Sequence, residues 1–379
     1  MKFRILTMGC KVNQVESAAM AERLREAGHV PCGASEPSLV VLNTCCVTGA
    51  AEKEAFRILR RLRREHPGAR VVAAGCLAQL APERLLDGGA ADLALGNSWK
   101  SGVAEMAGDG GLPSRALVEG GPDAGFAWPA PGPSPGRSRA FVKIQDGCSR
   151  SCSYCVIPSV RGPSRSLAPE GVLAALKAVS GRGAAEAVLT GIHLGAWGRD
   201  LSPRRDLAWL LREISSGLAP DPLRFRLRLS SLEPGEALRL AEAFRSLPFL
   251  APHLHLPLQA GSDRVLSAMG RPYTLARYRE AAESFARDVP GISIGADLIA
   301  GFPGETEDEH LETLDLVRAL PLAYLHVFPF SERPGARAAS FPGRIPTEER
   351  ARRVSGLRAV DREMRARFLA DSLGREHLA

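Results

Sequence analysis

From Arg139 to Leu369 the sequence alternates six times between a short apolar run and a longer amphipathic one. The apolar runs read as strands at Phe141–Gln145, Ala187–Thr190, Phe225–Ser230, His253–Pro257, Ser293–Ile299 and Tyr324–Phe328. The amphipathic runs read as helices near Pro169–Ser180, Asp206–Ser216, Pro234–Leu247, Leu275–Asp288, Thr306–Leu320 and Thr347–Leu369. Strands separated by helices pair in parallel, because only a crossover brings the chain back to the same edge. Right-handed crossovers curl such a series, and six units fall short of the eight that close a barrel. The expected fold is therefore α/β, a partial (β/α)6 barrel of the TIM type.

The first hundred residues follow the same grammar on a smaller scale. Strands are expected at Lys2–Met8, Leu39–Asn43, Arg70–Ala74 and Ala91–Leu95, with helices at Gln14–Ala27, Ala50–Glu65 and from Pro82. That is a parallel sheet wrapped by helices, of Rossmann or flavodoxin-like type. Residues 107–138 are rich in Gly and Pro and lack periodicity, so they read as a linker. The expected organisation is a first domain over 1–106, the linker, a second domain over 139–369 and a tail over 370–379.

The eight cysteines fall onto this frame in a pattern. Cys148, Cys152 and Cys155 share one short loop after the first barrel strand, on the face where barrel active sites form. A four-iron cluster with three protein thiolates keeps one iron open to a small ligand, whereas zinc sites usually take a fourth protein ligand. Cys10, Cys45 and Cys76 each sit just past a strand's carboxyl end, the edge where open α/β sheets build sites. Cys46 neighbours Cys45, and adjacent extended residues point to opposite sides, so one of the two is expected to bind. Cys32 lies at the opposite edge and reads as a bystander thiol. Disulfides are not expected in an intracellular chain of this length.

Charge adds less. The formal net charge is +7, which fits a polyanionic partner such as RNA. Only six of the 49 basic residues are Lys, a bias that GC-rich coding also produces. Arg57, Arg60, Arg61, Arg63 and Arg64 on one helix, and Arg350, Arg352, Arg353, Arg358, Arg362, Arg365 and Arg367 on the last, suit phosphate or a solvated face equally. No apolar run reaches membrane-span length and the N-terminus lacks a signal-peptide pattern, so no membrane contact and a cytoplasmic location are expected.

The Cys148/Cys152/Cys155 spacing, with Tyr154 before the last cysteine, resembles the radical S-adenosylmethionine superfamily. Gly9-Cys10-Lys11-Val12-Asn13-Gln14, Asn43-Thr44-Cys45 and Gly75-Cys76 narrow the resemblance to the methylthiotransferases. So do Lys143-Ile144-Gln145-Asp146-Gly147, Arg161-Gly162-Pro163-Ser164-Arg165-Ser166 and Gly301-Phe302-Pro303-Gly304-Glu305-Thr306. The likeness covers nearly the whole chain. It implies two 4Fe–4S clusters, one on Cys148, Cys152 and Cys155 and one on Cys10, Cys45 and Cys76, with S-adenosylmethionine as cosubstrate. One S-adenosylmethionine would methylate sulfur at the second site, and another would give the radical that abstracts hydrogen from an adenine C2. By resemblance Tyr154 packs near the adenine of S-adenosylmethionine. Further contacts are sought at strand ends: Thr190 and Gly191, Ser230, Ser231 and Glu233, Gln259 with Ser262, and Asp297 with Gly301. Each of these equally suits a loop cap or turn.

Leu189-Thr190-Gly191-Ile192-His193-Leu194-Gly195 and Leu325-His326-Val327-Phe328-Pro329-Phe330-Ser331 look most like the branch that modifies threonylcarbamoyladenosine in tRNA. The implied partners are a tRNA anticodon stem-loop, a low-potential electron donor and a sulfur donor. Isopentenyladenosine in tRNA and a ribosomal-protein aspartate are the alternative substrates, and a non-catalytic iron–sulfur or RNA-binding module is the alternative of another class. His193, His253 and His255 read as structural histidines, and Tyr273, Phe302 and Phe330 as core or as a base pocket. The family usually carries a small C-terminal β-barrel for substrate binding, which the sequence up to Ala379 does not contain.

Overall fold

The computed structural model describes residues 1–33, 36–105, 116–118, 139–218 and 225–374. Two compact units form. The first holds Met1–Ser149, Val156–Ala184 and Thr190–Ile192; the second holds Arg150–Cys155, Ala185–Leu189 and His193–Ala379. Most of the linker expected at 107–138 lies outside the described residues, as do 375–379 of the expected tail.

In the first unit β1 (Lys2–Thr7), β2 (Val30–Pro31), β3 (Leu39–Thr44), β4 (Arg70–Gly75), β5 (Leu93–Leu95) and β6 (Ala116–Leu117) make one sheet in the order β2-β1-β3-β4-β5-β6. All five neighbouring strand pairs in it are parallel. Two edge strands escape the sequence reading, β2 and β6, because two-residue strands carry no periodicity. The helices are α1 (Lys11–Glu26), α2 (Gly49–Glu65), α3 (Cys76–Leu80) and α4 (Pro82–Leu86). β3 is buried at all six positions, the signature of a strand covered on both faces. Its neighbours Phe3, Val72, Leu93 and Leu95 join Met20 and Leu24 of α1 in one core cluster. Thr48 caps α2, its hydroxyl accepting from Ala51 N at 3.1 Å.

The same unit continues with β7 (Arg139–Lys143), β8 (Gln145–Asp146), α5 (Ile157–Arg161), β9 (Arg165–Ser166) and α6 (Pro169–Gly181). β8 and β9 form an antiparallel pair that the expected single strand Phe141–Gln145 did not include.

The second unit runs β10 (Glu186–Thr190), α7 (Leu207–Leu218), β11 (Arg226–Leu229), α8 (Pro234–Leu238), α9 (Ala241–Ser246), β12 (His253–His255), α10 (Asp263–Met269), α11 (Leu275–Asp288), β13 (Ser293–Ala300), α12 (Glu307–Ala319), β14 (Tyr324–Pro329) and α13 (Thr347–Ser372). Thr190 itself belongs to the first unit. β10 pairs with β11, and β12, β13 and β14 pair in turn, all parallel. A bridge from Leu227 to Leu250 continues the series between β11 and β12. The expected helix Pro234–Leu247 is two helices, α8 and α9, interrupted at Arg239 and Leu240. The Gly301–Thr306 stretch is a cap: Thr306 and Glu309 make a capping box, and Gly301 N donates to Glu305 Oε2 at 2.6 Å.

Candidate functional site

The strand ends that carry the cysteines of the first unit's sheet are tied by polar residues of the Cys10 and Cys45 motifs. Asn13 Nδ2 donates to Met8 O at 2.8 Å and to Thr44 O at 3.0 Å, tying the ends of β1 and β3. Asn43 Nδ2 donates to Asn13 O and to Ser17 Oγ. Thr44 Oγ1 donates to Ala74 O and accepts from Leu77 N, tying β3 to β4 and the start of α3. So Asn13, Asn43 and Thr44 knit the strand ends that carry Cys10, Cys45 and Cys76.

The glycines before Cys10 and Cys76 are required by space. Gly9 has φ +91°, and a Cβ there would lie 2.9 Å from Cys45 Cβ and 3.1 Å from Cys45 Sγ. Gly75 has φ +96°, and a Cβ there would lie 2.5 Å from Asn43 Oδ1 and 3.1 Å from Lys100 Nζ. The Cys45 thiol therefore rests against the backbone that presents Cys10.

Cys10 is exposed, whereas Cys45, Cys46 and Cys76 are buried, and all are free thiols. A hydrogen bond with Cys46 draws the Cys76 thiol down to about 5; burial opposes this, and the Arg161 and Lys100 cations assist it. Burial pushes the Cys45 thiol up. Asn97 adds an amide donor 3.8 Å from Cys76 Sγ, and the same Nδ2 donates to Val160 O at 2.7 Å. Cys46 is thus neither remote nor turned away: its thiol faces Cys76. The Cys32 thiol donates to Phe3 O at 3.4 Å.

Beneath these thiols lies a group of buried charges that sequence reasoning missed. Glu16 accepts from Lys100 Nζ at 2.5 Å, Lys143 Nζ at 2.7 Å and Arg161 Nη1 at 2.8 Å. Asp146 accepts from Lys143 Nζ at 2.8 Å and Arg161 Nη1 at 2.9 Å. Arg161 Nη2 also donates to Asn13 Oδ1 at 2.8 Å. None of the five charged residues is more than 4% exposed. Burial alone would raise the Glu16 carboxyl, but Arg161, Lys100 and Lys143 hold it well below its ordinary range. Partners so far apart in sequence leave no local signal.

The second cysteine set begins at Cys148 in the first unit. Gly147 turns the chain there with φ +68°, its N donating to Asp146 Oδ1 at 2.8 Å, while Cys148 N donates to Gly162 O at 3.0 Å. In the same unit Ile144 N donates to Thr190 O at 2.9 Å, and a Cβ on Gly191 would lie 2.7 Å from Gln145 Oε1. Gln145 therefore already explains the need for glycine at 191.

Cys152 and Cys155 belong to the second unit. Ser153 pins their loop: its N donates to Met269 O, its Oγ to Ala268 O, and its carbonyl accepts from Ala338 N. Arg271 is the residue here that the sequence did not disclose. Its Nη1 lies 3.3 Å from Cys152 Sγ and 3.4 Å from Tyr154 Oη, and its Nη2 donates to Glu233 Oε1 at 3.1 Å. Arg150 donates to the other oxygen of Glu233. Burial pushes the Tyr154 phenol well up. The structure so gathers Cys152, Tyr154 and Glu233 around one guanidinium, with Glu233 also capping α8. Ser230 is buried and Ser231 partly so, just past β11.

Gln259 takes φ +70° and bridges to Leu298, so its backbone is committed to the sheet. Ser262 caps α10. Asp297 joins a different group: its Oδ1 lies 3.0 Å from His255 Nε2 and 3.2 Å from His326 Nδ1. His253 Nε2 and His255 Nδ1 both meet Tyr324 Oη, at 2.9 and 3.2 Å, and His193 meets Glu236. Each of these histidines therefore has a hydrogen-bonding partner. Tyr273, Phe302 and Phe330 are core residues, at most 9% exposed, whereas Phe328 of β14 is 44% exposed. Many arginines of the two basic helices are engaged: Arg57 pairs with Glu54, Arg63 with Asp92, Arg353 with Glu305 and Arg365 with Asp361.

The donors suit iron–sulfur chemistry. Two sets of three free thiols, set by loops with obligatory glycines, match the soft-ligand preference of such clusters. The model of the radical SAM superfamily matches residues 142–317, and that of the uncharacterized protein family UPF0004 matches residues 2–96. A solved structure of similar fold is the radical S-adenosylmethionine methyltransferase TsrM from Kitasatospora setae, at TM-score 0.62 and 16% identity over 86% of this chain and 74% of that one. These define a radical S-adenosylmethionine enzyme.

Relatives narrow the class. A threonylcarbamoyladenosine tRNA methylthiotransferase MtaB from Thermotoga maritima is 33% identical over 98% of this chain and 85% of the relative. A tRNA-2-methylthio-N(6)-dimethylallyladenosine synthase from Moorella thermoacetica is 34% identical over 94% and 81%. The MtaB of Bacillus subtilis is 32% identical over 94% and 80%. The chain belongs to the radical S-adenosylmethionine methylthiotransferase family.

Proposed function

We propose that this chain adds a methylthio group to C2 of the adenine in threonylcarbamoyladenosine of a tRNA anticodon loop. The observation that carries the reaction type is the pairing of two three-cysteine sets, one at the end of a parallel sheet and one in the loop beginning at Gly147. The substrate rests on the names of the MtaB relatives and on the His326-containing stretch of β14. The dimethylallyladenosine synthases are similar to an equal degree, so isopentenyladenosine is the second reading.

In this reading Cys148, Cys152 and Cys155 hold one 4Fe–4S cluster, and Cys10, Cys45 and Cys76 hold another. When bound, these groups and S-adenosylmethionine supply a carbon-centred radical and the sulfur to be transferred. The chain's own part is to bind and orient. Arg271 and Glu233 fix Tyr154 beside Cys152. Tyr154, Thr190, Gly191, Ser230, Ser231, Glu233, Gln259 and Asp297 are the proposed contacts to S-adenosylmethionine. Exposed Phe328 offers a face on which an unstacked loop base can rest. A low-potential electron donor and a sulfur donor are the required partners. No described helix is long and apolar enough to cross a membrane, and the proposed location is cytoplasmic.

The test compares Cys152→Ala with Cys76→Ala after anaerobic reconstitution. Cys152→Ala should abolish 5′-deoxyadenosine formation, whereas Cys76→Ala should keep part of it and lose thiolation. Normal thiolation by Cys76→Ala would sink the assignment.

A further inference from the structure

The five buried charges grouped around Glu16 do not balance. Lys100, Lys143 and Arg161 face Glu16 and Asp146, so the set carries one positive charge in excess. Exposures of 0% for Lys100, 2% for Lys143 and 4% for Arg161 exclude screening by solvent. An excess buried cation is costly unless an anion shares its surroundings. The neighbouring edge is the one that carries Cys10, Cys45 and Cys76. Lys100 Nζ lies 3.1 Å from the position of a Cβ on Gly75, the residue before Cys76. Arg161 Nη2 donates to Asn13 Oδ1 at 2.8 Å, and Asn13 Nδ2 donates at 3.0 Å to Thr44 O, the carbonyl joined to Cys45.

The geometry of the set is also fixed independently of the thiols. Glu16 accepts from three cations at once, and Asn13 joins Arg161 to the backbone of the β1 and β3 ends. A general stabilising role would be met as well by a neutral set of apolar side chains. What apolar side chains cannot supply is a positive potential held at one place.

We infer that Lys100, Lys143 and Arg161, held by Glu16 and Asp146, are positioning residues that form a preassembled cationic seat for the anionic iron–sulfur cluster of Cys10, Cys45 and Cys76. The inference rests on the reading that these three cysteines hold a cluster. The seat favours the more negative, reduced form, so it raises the cluster's midpoint potential. Charge, rather than hydrogen-bond geometry, is the property that matters.

The test uses the full chain carrying Cys148→Ala, Cys152→Ala and Cys155→Ala, reconstituted anaerobically, so that one cluster remains to be read. Midpoint potentials are measured by redox titration followed by electron paramagnetic resonance. In that background Lys100→Met removes one charge while keeping the length of the side chain, and Arg161→Lys keeps the charge while losing the fork. Lys100→Met should shift the reduction equilibrium at least tenfold toward the oxidised form, which is 59 mV for one electron. Arg161→Lys should leave the potential within a third of that shift, although it lowers the melting temperature. Glu16→Gln, which adds to the excess charge, should shift the potential upward. Equal potentials for Lys100→Met and its parent, or a larger shift for Arg161→Lys than for Lys100→Met, would overturn the seat. A parent protein that binds no iron would instead overturn the cluster assignment on which the seat depends.

Discussion

Replacing Gly147 by alanine puts a methyl group where the backbone already is. The added Cβ would lie 2.0 Å from Pro163 O and 2.7 Å from Gly162 O. Neither carbonyl can move without moving the segment that receives Cys148 N. The residue also has φ +68°, a left-handed conformation that costs an L-residue about 1–2 kcal/mol. Relieving the clash breaks the Cys148 N to Gly162 O and Gly147 N to Asp146 Oδ1 hydrogen bonds, worth about 1 kcal/mol each. The expected loss is about 3–4 kcal/mol, or roughly 10 °C in Tm for a unit of this size. Gly162→Ala is the internal control: its φ is +72°, but nothing lies within 4 Å of the added Cβ. It should lose only about 1–2 kcal/mol. Melts followed by circular dichroism, with iron per chain measured after reconstitution, separate the two. Equal melting of both variants, or wild-type iron loading by Gly147→Ala, would refute the steric account of the loop.

Other consequences follow from single contacts. Arg271→Met leaves Glu233 with Arg150 alone; losing a hydrogen bond between charged groups costs about 1.5–3 kcal/mol, and equilibrium dialysis should show weaker S-adenosylmethionine binding. Unchanged binding would confine Arg271 to a structural role. Because the folded-state Glu16 carboxyl is held below its ordinary range, the stability it contributes is present above about pH 4.3 and is lost as the pH falls further. Melting temperatures across pH 3 to 7 should therefore fall at the acid end, and Glu16→Gln should flatten that slope. A variant profile parallel to wild type would show that Glu16 is not the titrating group.

The sequence disclosed whatever depended on local pattern. Strand positions in both units were legible because apolar runs at β3, β4, β11 and β13 stand between helices with capping residues such as Thr48, Ser262, Thr274 and Thr306. The strand-end cysteines were legible because each carries its own glycine or Asn-Thr pair. Arg271 was not, since its partners Cys152, Tyr154 and Glu233 come from distant stretches of the chain. The seat around Glu16 was invisible for the same reason, its members being spread from Asn13 to Arg161. The contact of Cys46 with Cys76 was not legible, because alternation holds for extended chain and the chain after Thr44 has left the strand. The packing of Gln145 against Gly191 was not legible either, since the two lie far apart in the chain.

The central claim is the transfer of a methylthio group to threonylcarbamoyladenosine. Mass spectrometry of tRNA nucleosides from a strain lacking this gene tests it most directly. 2-Methylthio-threonylcarbamoyladenosine should disappear, its unthiolated precursor should accumulate, and methylthiolated isopentenyladenosine should be unchanged. Persistence of the methylthiolated threonylcarbamoyl nucleoside, with loss of the isopentenyl one, would contradict it.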